Sequence, residues 1–294
     1  MVVKLSKASL LRWQQDRGGF GLGMTRCGTT AFRWGERTYV MGIINVSPDS
    51  FSGDGVDNVD LALAKAQQFV ADGADIIDIG GESTRPGSAP ISVDEELRRV
   101  IPVVERLVDK LSVPLSIDTY KVEVAHRALN AGVQMLNDIW GLKQGPGLAE
   151  LAAQCGVPVI VMSNQRDKPQ RNIMAAVISD LKDSVDMALG AGVAWENIII
   201  DPGIGFGKTL EQNLEIVRRL VQLKALGRPV LLGTSRKSML GLVLNLPSEE
   251  RLEGTAASVA IGIANGADIV RVHDVREMVR VCQMSDAIVR DRVD

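Results

Sequence analysis

From Tyr39 to the C-terminus one pattern recurs eight times: a short, β-branched, mostly apolar run that ends in a polar residue or glycine, then a longer segment with helical spacing. The runs cover 39–45, 74–80, 113–118, 133–139, 157–163, 197–201, 228–234 and 267–273; the helical segments cover 59–72, 93–111, 120–131, 146–155, 173–192, 209–226, 249–265 and 274–290. In the first helical segment Val59, Leu63, Ala66 and Val70 fall at i, i+4, i+7 and i+11, which makes one apolar face. Gly73 follows as the left-handed stop that turns the chain back toward a strand. Near-continuous apolar strands alternating with helices specify a parallel sheet covered on its outer face. Eight such units in roughly 255 residues have the count and size of a closed (β/α)8 TIM barrel.

The rest of the sequence narrows the class. With 33 basic and 36 acidic residues the formal charge is −3, so bulk charge offers no basis for nucleic-acid binding. Three widely spaced cysteines (Cys27, Cys155, Cys282) and two histidines argue against a disulfide framework or a structural zinc site. The N-terminus lacks the apolar core of a signal peptide, and no run of 18 apolar residues occurs, so a soluble, cytoplasmic protein is expected. Residues 25–294 read as one domain and 1–24 as an extension, with helical spacing over 5–15. The segment Thr29 to Tyr39 reads as a hairpin turning at Gly35-Glu36, suited to plugging the bottom of the barrel.

In such a barrel the C-terminal strand ends converge on one mouth. Those positions carry Asn45, Glu82 through Arg85, Asp118, Asn137 with Asp138, Ser163, Asp201, Lys237, Arg271 and His273. Each taken singly fits a helix-capping role. So many polar ends on one rim do not. Asp118, Asp201 and Asn137 suit a flat, nitrogen-rich heterocycle, whereas Arg85, Lys237, Arg271 and His273 form a cationic set suited to a diphosphate or carboxylate. Asn45 offers a neutral oxygen to Mg²⁺, an ion held by few protein groups plus substrate phosphates. Pro202 through Thr209 mimics a Walker A loop, but Pro202 stands at the first glycine position and the glycine spacing fails the dinucleotide fingerprint.

The motifs are more specific than the spacing. Met41-Gly42-Ile43-Ile44-Asn45-Val46-Ser47-Pro48-Asp49-Ser50-Phe51-Ser52 and Asp78-Ile79-Gly80-Gly81-Glu82-Ser83-Thr84-Arg85-Pro86-Gly87 resemble the two opening signatures of dihydropteroate synthases. Ser116-Ile117-Asp118-Thr119, Asn137-Asp138-Ile139, Asp201-Pro202-Gly203 through Lys208-Thr209, Ser235-Arg236-Lys237-Ser238 and Arg271-Val272-His273-Asp274 follow in family order, covering roughly residues 25–290. The resemblance implies a pterin-binding TIM barrel that condenses a dihydropterin pyrophosphate with 4-aminobenzoate in folate biosynthesis, as a Mg²⁺-dependent homodimer. By matching motif, Asp118, Asn137, Asp201 and Lys237 would hold the pterin. Asn45 with Mg²⁺, Thr84, Arg271 and His273 would hold the diphosphate. Phe51, Arg85, Pro86, Phe206, Lys237 and Ser238 would shape the aminobenzoate pocket, with the carboxylate at the start of the helix after Lys237. Asp118, Asp201, Lys237, Arg271 and His273 would carry the catalysis.

Two departures stand out. Met162-Ser163-Asn164 replaces the family's Met-His-Met, and Ile204 stands where many members carry phenylalanine. A pterin-binding barrel of the corrinoid-methyltransferase kind would need no diphosphate trap, and a non-catalytic paralogue would be expected to lose Arg85, Lys237 or an aspartate. None of these residues is lost.

Overall fold

The alternating pattern closes into a ring of eight parallel strands wrapped by helices, in a computed structural model that describes residues 22–46, 59–83, 88–166 and 171–290. A hairpin, β1 (Met24–Cys27) and β2 (Thr30–Arg33), precedes the ring. The first half of the ring comprises β3 (Tyr39–Asn45), α1 (Val59–Ala71), β4 (Ile76–Gly80), α2 (Val93–Val108), β5 (Leu115–Asp118), α3 (Val122–Asn130), β6 (Met135–Asp138) and α4 (Gly147–Cys155). The second half comprises β7 (Val159–Met162), α5 (Ile173–Gly190), β8 (Ile198–Asp201), α6 (Leu210–Arg218), β9 (Leu231–Leu232), α7 (Ser238–Leu244), α8 (Leu252–Ala264), β10 (Ile269–Val272) and α9 (Val275–Val289). The ring runs β8-β7-β6-β5-β4-β3-β10-β9, and a parallel bridge between Ile200 and Val230 closes it. Among the described residues, no helix is long and apolar enough to cross a membrane.

Strand periodicity of two divides each strand between helices and barrel interior. Residues such as Val40, Ile44, Ile77, Ile79, Ile117, Leu136 and Val161 face outward and form the main core with the helices. The opposite parity supplies a lower interior layer of Tyr39, Met41, Ile76, Met135, Ile160, Ile199, Leu231 and Ile269, closed from below by Cys27, Phe32 and Trp34 of the hairpin and the segment after it. Burying each large apolar side chain contributes roughly 1.5–3 kcal/mol, so this plug anchors the lower end of the barrel. Continuing the same inward parity toward the C-terminal ends gives Asn45, Asp78, Gly80, Ser116, Asp118, Asn137, Met162, Asp201 and Arg271. Apolar below and polar above, the interior is a platform for a site.

Three details differ from the sequence expectation. The hairpin turns at Gly28-Thr29 rather than Gly35-Glu36, pairing Cys27 with Thr30 and Met24 with Arg33. Gly28 adopts the positive φ of 58° that the tight turn requires. The strand expected over 228–234 pairs with β10 only through Leu231 and Leu232; Pro229 has no N–H to give a ladder. The helix expected over 209–226 ends as α6 at Arg218 and continues as a 3₁₀ segment over Leu220–Leu226 after Arg219 leaves helical geometry. His126 lies exposed on α3, as its place beside Arg127 suggested.

Candidate active site

Strand register sets the geometry of the mouth. Asn45 is the Cα partner of Gly80, Gly80 of Asp118 and Asp118 of Asn137, so three functional side chains stand on one level across β3 to β6. Arg271, from β10 on the other side of β3, reaches across them. Its Nε donates to Asp78 Oδ2 at 2.7 Å and its Nη2 to Asp118 Oδ2 at 2.7 Å. Asn137 Nδ2 donates to the same Asp78 oxygen at 3.0 Å. Burial pushes the Asp118 carboxyl up from the usual carboxylate range while the Arg271 charge pulls it back, and the nearby Asp78, Glu96 and Asp138 charges push the same way as burial. The acidic floor and the cationic lip therefore meet in direct contact rather than facing each other across empty space.

The second half of the mouth is built around Asp201 and Lys237. Asp201, 7% exposed, accepts from Gly203 N at 2.7 Å; burial raises its carboxyl and Lys237 opposes the rise. Lys237 donates through Nζ to Ile204 O at 2.5 Å and lies 4.8 Å above the Phe206 ring. Burial lowers the Lys237 ammonium to about 8, with Asp201 opposing. Arg166 stands 4.9 Å from the centre of the same ring, so two cations lie within cation–π range of Phe206. Phe206 packs with Met162 and Ile139, next to Tyr120 and Trp140, which makes an apolar wall beside the charged groups. Ser238 is exposed at the first position of α7. That helix has only seven residues; an anion placed there depends on the Ser238 hydroxyl more than on a long helix dipole.

His273 departs from the cationic set. Its ring Nδ1 lies 2.9 Å from Ser235 Oγ, and burial together with the charges of Arg271, Arg236 and Lys65 lowers its pKa to about 3. It is a neutral imidazole at pH 7, able to donate or accept a hydrogen bond but not to supply charge. As pH falls from 6.5 toward 3, the unfolded chain takes up a proton that the folded site refuses, so stability is lost across that window. At pH 5 the loss from this group is about 1–2 kcal/mol. Urea unfolding at pH 7 and pH 5 should show this loss in the wild type and not in His273→Gln. Equal acid losses in both proteins would refute it.

The glycine-rich loop mimics a phosphate cradle in sequence, but its local bonds give it a different role. Thr209 spends its hydroxyl on capping α6: Gln212 N donates to Thr209 Oγ1 at 3.3 Å and Thr209 N to Gln212 Oε1 at 3.0 Å. Lys208 Nζ donates to the carbonyls of Ser163, Gly203 and Phe206 at 2.9, 2.8 and 3.1 Å, stapling this loop to the segment after β7. Gly203 and Gly207 allow the close approach. At positive φ, a Cβ on either would come 2.1 Å from Ser163 O and 2.2 Å from Arg166 N respectively.

A model of pterin binding enzymes matches residues 41–273. The chain is 51% identical over 267 residues to a dihydropteroate synthase of Clostridium beijerinckii, covering 90% of this chain and 99% of the relative, and 52% identical to that of Bacillus subtilis, covering 88% and 91%. The chain belongs to the dihydropteroate synthase family. It is a transferase of folate biosynthesis. A crystal structure of the Clostridium difficile synthase determined with pteroic acid superposes with a TM-score of 0.84 at 52% identity, covering 88% of this chain and 99% of that one. The Xanthomonas albilineans synthase with 7,8-dihydropteroate superposes at 0.83 with 37% identity, covering 92% and 100%.

Within this synthase barrel the described residues bring together Asn45, Asp118, Asn137, Asp201, Phe206, Lys237, Ser238, Arg271 and His273 at the same end of the barrel. Phe51, Thr84, Arg85 and Pro86, like the extension up to residue 21, lie outside the described residues. At the Met162-Ser163-Asn164 departure, Asn164 is 5% exposed and its amide is committed: Nδ2 donates to Ile139 O at 3.2 Å and Oδ1 accepts from Arg166 N at 3.2 Å. The amide thus braces the loop that carries Arg166. Ile204 is fully buried in the main core, where a branched aliphatic side chain is a natural occupant. Sequence reasoning missed Asp78, Ser235 and Arg166. Asp78 had a usable signal: it is an acid inside the apolar run Ile76-Ile77-Asp78-Ile79, on the parity of Gly80 rather than of the helix-facing isoleucines. Ser235 had only its place in the Ser235-Arg236-Lys237-Ser238 motif and Arg166 had no signal, because their roles depend on partners 38 and 40 residues away.

Proposed function

We propose that this chain joins 6-hydroxymethyl-7,8-dihydropterin pyrophosphate to 4-aminobenzoate, giving 7,8-dihydropteroate and pyrophosphate. The carrying observation is the direct contact of Arg271 with Asp118 at the mouth that also holds Asp201 and Lys237. Solved relatives bind the two ends of this chemistry: the Xanthomonas albilineans synthase has been crystallised with 4-aminobenzoic acid and with 7,8-dihydropteroate.

Asp118, Asn137 and Asp201 hydrogen-bond the edge of the pterin, with Lys237 at its rim. The C–O bond between the pterin methylene and the diphosphate breaks, and its electron pair leaves on the diphosphate oxygen. Fixed carboxylates at Asp118 and Asp201 favour the positive charge that spreads into the ring, and Arg271 favours the negative charge on the departing group. His273 serves the diphosphate as a neutral hydrogen-bonding group. The aromatic amine attacks the methylene carbon and then releases a proton to solvent, so no strong base is required. Phe206, Lys237 and Ser238 take the aminobenzoate, and the family resemblance assigns Phe51, Arg85 and Pro86 to the same substrate. Asn45 serves the diphosphate, to which the resemblance also assigns Thr84.

Asn45 supplies a hard, neutral oxygen of the kind a divalent cation takes alongside substrate phosphates: its Oδ1 stands beside the bare backbone of Gly80, 3.7 Å from where a Cβ would be. Asn45 would be the protein ligand to Mg²⁺, which when bound neutralises charge on the leaving diphosphate. The test is to incubate the purified chain with both substrates and Mg²⁺ and to measure pteroate and pyrophosphate together. Equal amounts of the two products are expected. Chelating Mg²⁺ should cut turnover by about 100-fold or more while pterin binding persists. Pterin binding with no product under any condition would favour the methyltransferase-like or non-catalytic barrel instead.

The reading extends to a cytoplasmic homodimer. All three cysteines are free thiols and Cys155 is exposed, which suits a reducing compartment. Leu242, Val243, Leu244 and Ile261 are 67, 55, 43 and 52% exposed around an apolar groove between α6, α7 and α8, a face suited to a second copy of the chain. A monomeric mass in solution would refute the dimer.

A further inference from the structure

We propose that Asp78 is a positioning residue for the reaction, holding the Arg271 guanidinium and the Asn137 amide in the orientation in which they meet the substrates. This rests on the reaction proposed above. Asp78 is fully buried on β4, one inward position below Gly80, and so lies beneath the mouth rather than in it. One of its oxygens, Oδ2, accepts from both Arg271 Nε at 2.7 Å and Asn137 Nδ2 at 3.0 Å. With its Nε fixed from below and one Nη2 hydrogen directed to Asp118, the Arg271 guanidinium plane is set, and Nη1 remains for a ligand above. The Asn137 amide is fixed in the same way: its nitrogen donates downward, which leaves its oxygen to accept from a ring N–H.

Barrel stability alone gives no reason for this arrangement. Interior layers of such barrels are filled by branched apolar residues, and a buried carboxylate carries a desolvation cost. Here the cost is visible. Asp78 Oδ1 has no hydrogen-bond partner, and neither has Ser116 Oγ on the paired position of β5. A side chain present only to neutralise Arg271 duplicates Asp118, which already pairs with the same guanidinium. What Asp78 adds is a second anchor at Nε, and two anchors define a plane where one leaves a swivel.

The experiment compares wild type, Asp78→Asn, Arg271→Lys, the double variant and Ser116→Ala in steady-state kinetics. Asp78→Asn keeps shape and one acceptor but loses the charge that orients both donors. It should lower kcat/KM for the pterin diphosphate by about 10- to 100-fold and leave KM for 4-aminobenzoate within about twofold. In the Arg271→Lys background the same change should cost several-fold less than in wild type, because a lysine has no plane for Asp78 to set and only the loss at Asn137 remains. Ser116→Ala, which removes the neighbouring orphan hydroxyl, should leave kcat within about twofold of wild type. Asp78→Asn turning over at the wild-type rate, or losing equally in both arginine and lysine backgrounds, would overturn the proposal. If Asp78→Asn does not give folded protein, Asp78→Ser is measured in its place against the same expectations. A wild-type chain that makes no pteroate counts against the reaction instead. Binding of 6-hydroxymethylpterin, followed by fluorescence, then tests Asp78: about tenfold weaker binding in Asp78→Asn is expected, and unchanged binding would overturn the positioning role.

Discussion

Arg271→Ala should lower the free energy of unfolding by about 3–5 kcal/mol and reduce turnover by at least about 100-fold. The stability loss comes from what remains. Asp78 is fully buried and Asp118 side-chain exposure is 14%; without the guanidinium Asp78 keeps the Asn137 amide as its donor and Asp118 loses its ion-pair partner. Burial already pushes the Asp118 carboxyl up and Arg271 opposes that rise, so without the guanidinium its folded-state pKa climbs further above the unfolded one. The deficit is then largest above that raised range and shrinks as pH falls through it. Urea titrations at pH 8 and pH 5 measure both statements. A variant as stable as wild type at pH 8 would show that Arg271 is not the counter-charge of this pair.

Lys237→Met should do the opposite to stability while being as harmful to function. The ammonium is buried, with its pKa lowered to about 8, so at pH 7 the folded state carries a charge it would rather lose. Between about 8 and the ordinary lysine range the unfolded chain holds the proton and the folded chain does not, so wild-type stability rises with pH there. Methionine keeps an apolar stem beside Gly205 and has no proton to strain. The variant should therefore be more stable than wild type by on the order of 1 kcal/mol at pH 7, with the advantage gone once pH exceeds the lysine range. Turnover should fall by about 100- to 1000-fold, as for loss of one charged donor from a preorganised site. Thermal denaturation across pH and single-turnover assays test the pair of effects. A variant that is both active and unchanged in stability would remove Lys237 from the site.

The two results would share one cause: the mouth is assembled from groups whose burial is unfavourable by itself. Asp118 and Asp201 are pushed toward protonation, Lys237 toward deprotonation and His273 into neutrality, all chiefly by desolvation. Only their mutual contacts make the arrangement tenable. Stability spent at such a site is a common consequence of function.

Much of this was legible in the chain before folding. The alternation of apolar runs with helical segments specifies the barrel because strand and helix periods are local properties of the backbone, and strand-end positions follow from that alternation. Asn45, Asp118, Asn137, Asp201 and Arg271 were placed at the mouth on that basis, and they stand there. The hairpin was placed too late because Gly28 and Gly35 both offer positive φ, and only packing of Cys27, Phe32 and Trp34 into the barrel bottom selects the earlier turn.

What sequence determined, then, was the order of elements and which side chains point inward, because both depend on neighbours a few positions apart. Which inward groups touch was decided by tertiary structure alone. Arg271 meets Asp78 across 193 residues and Asp118 across 153, and His273 lost its charge to the burial and the neighbouring cations that ring closure imposed. A contact of that range and a field of that origin exist only when β10 has come to lie beside β3 and the barrel has shut water out.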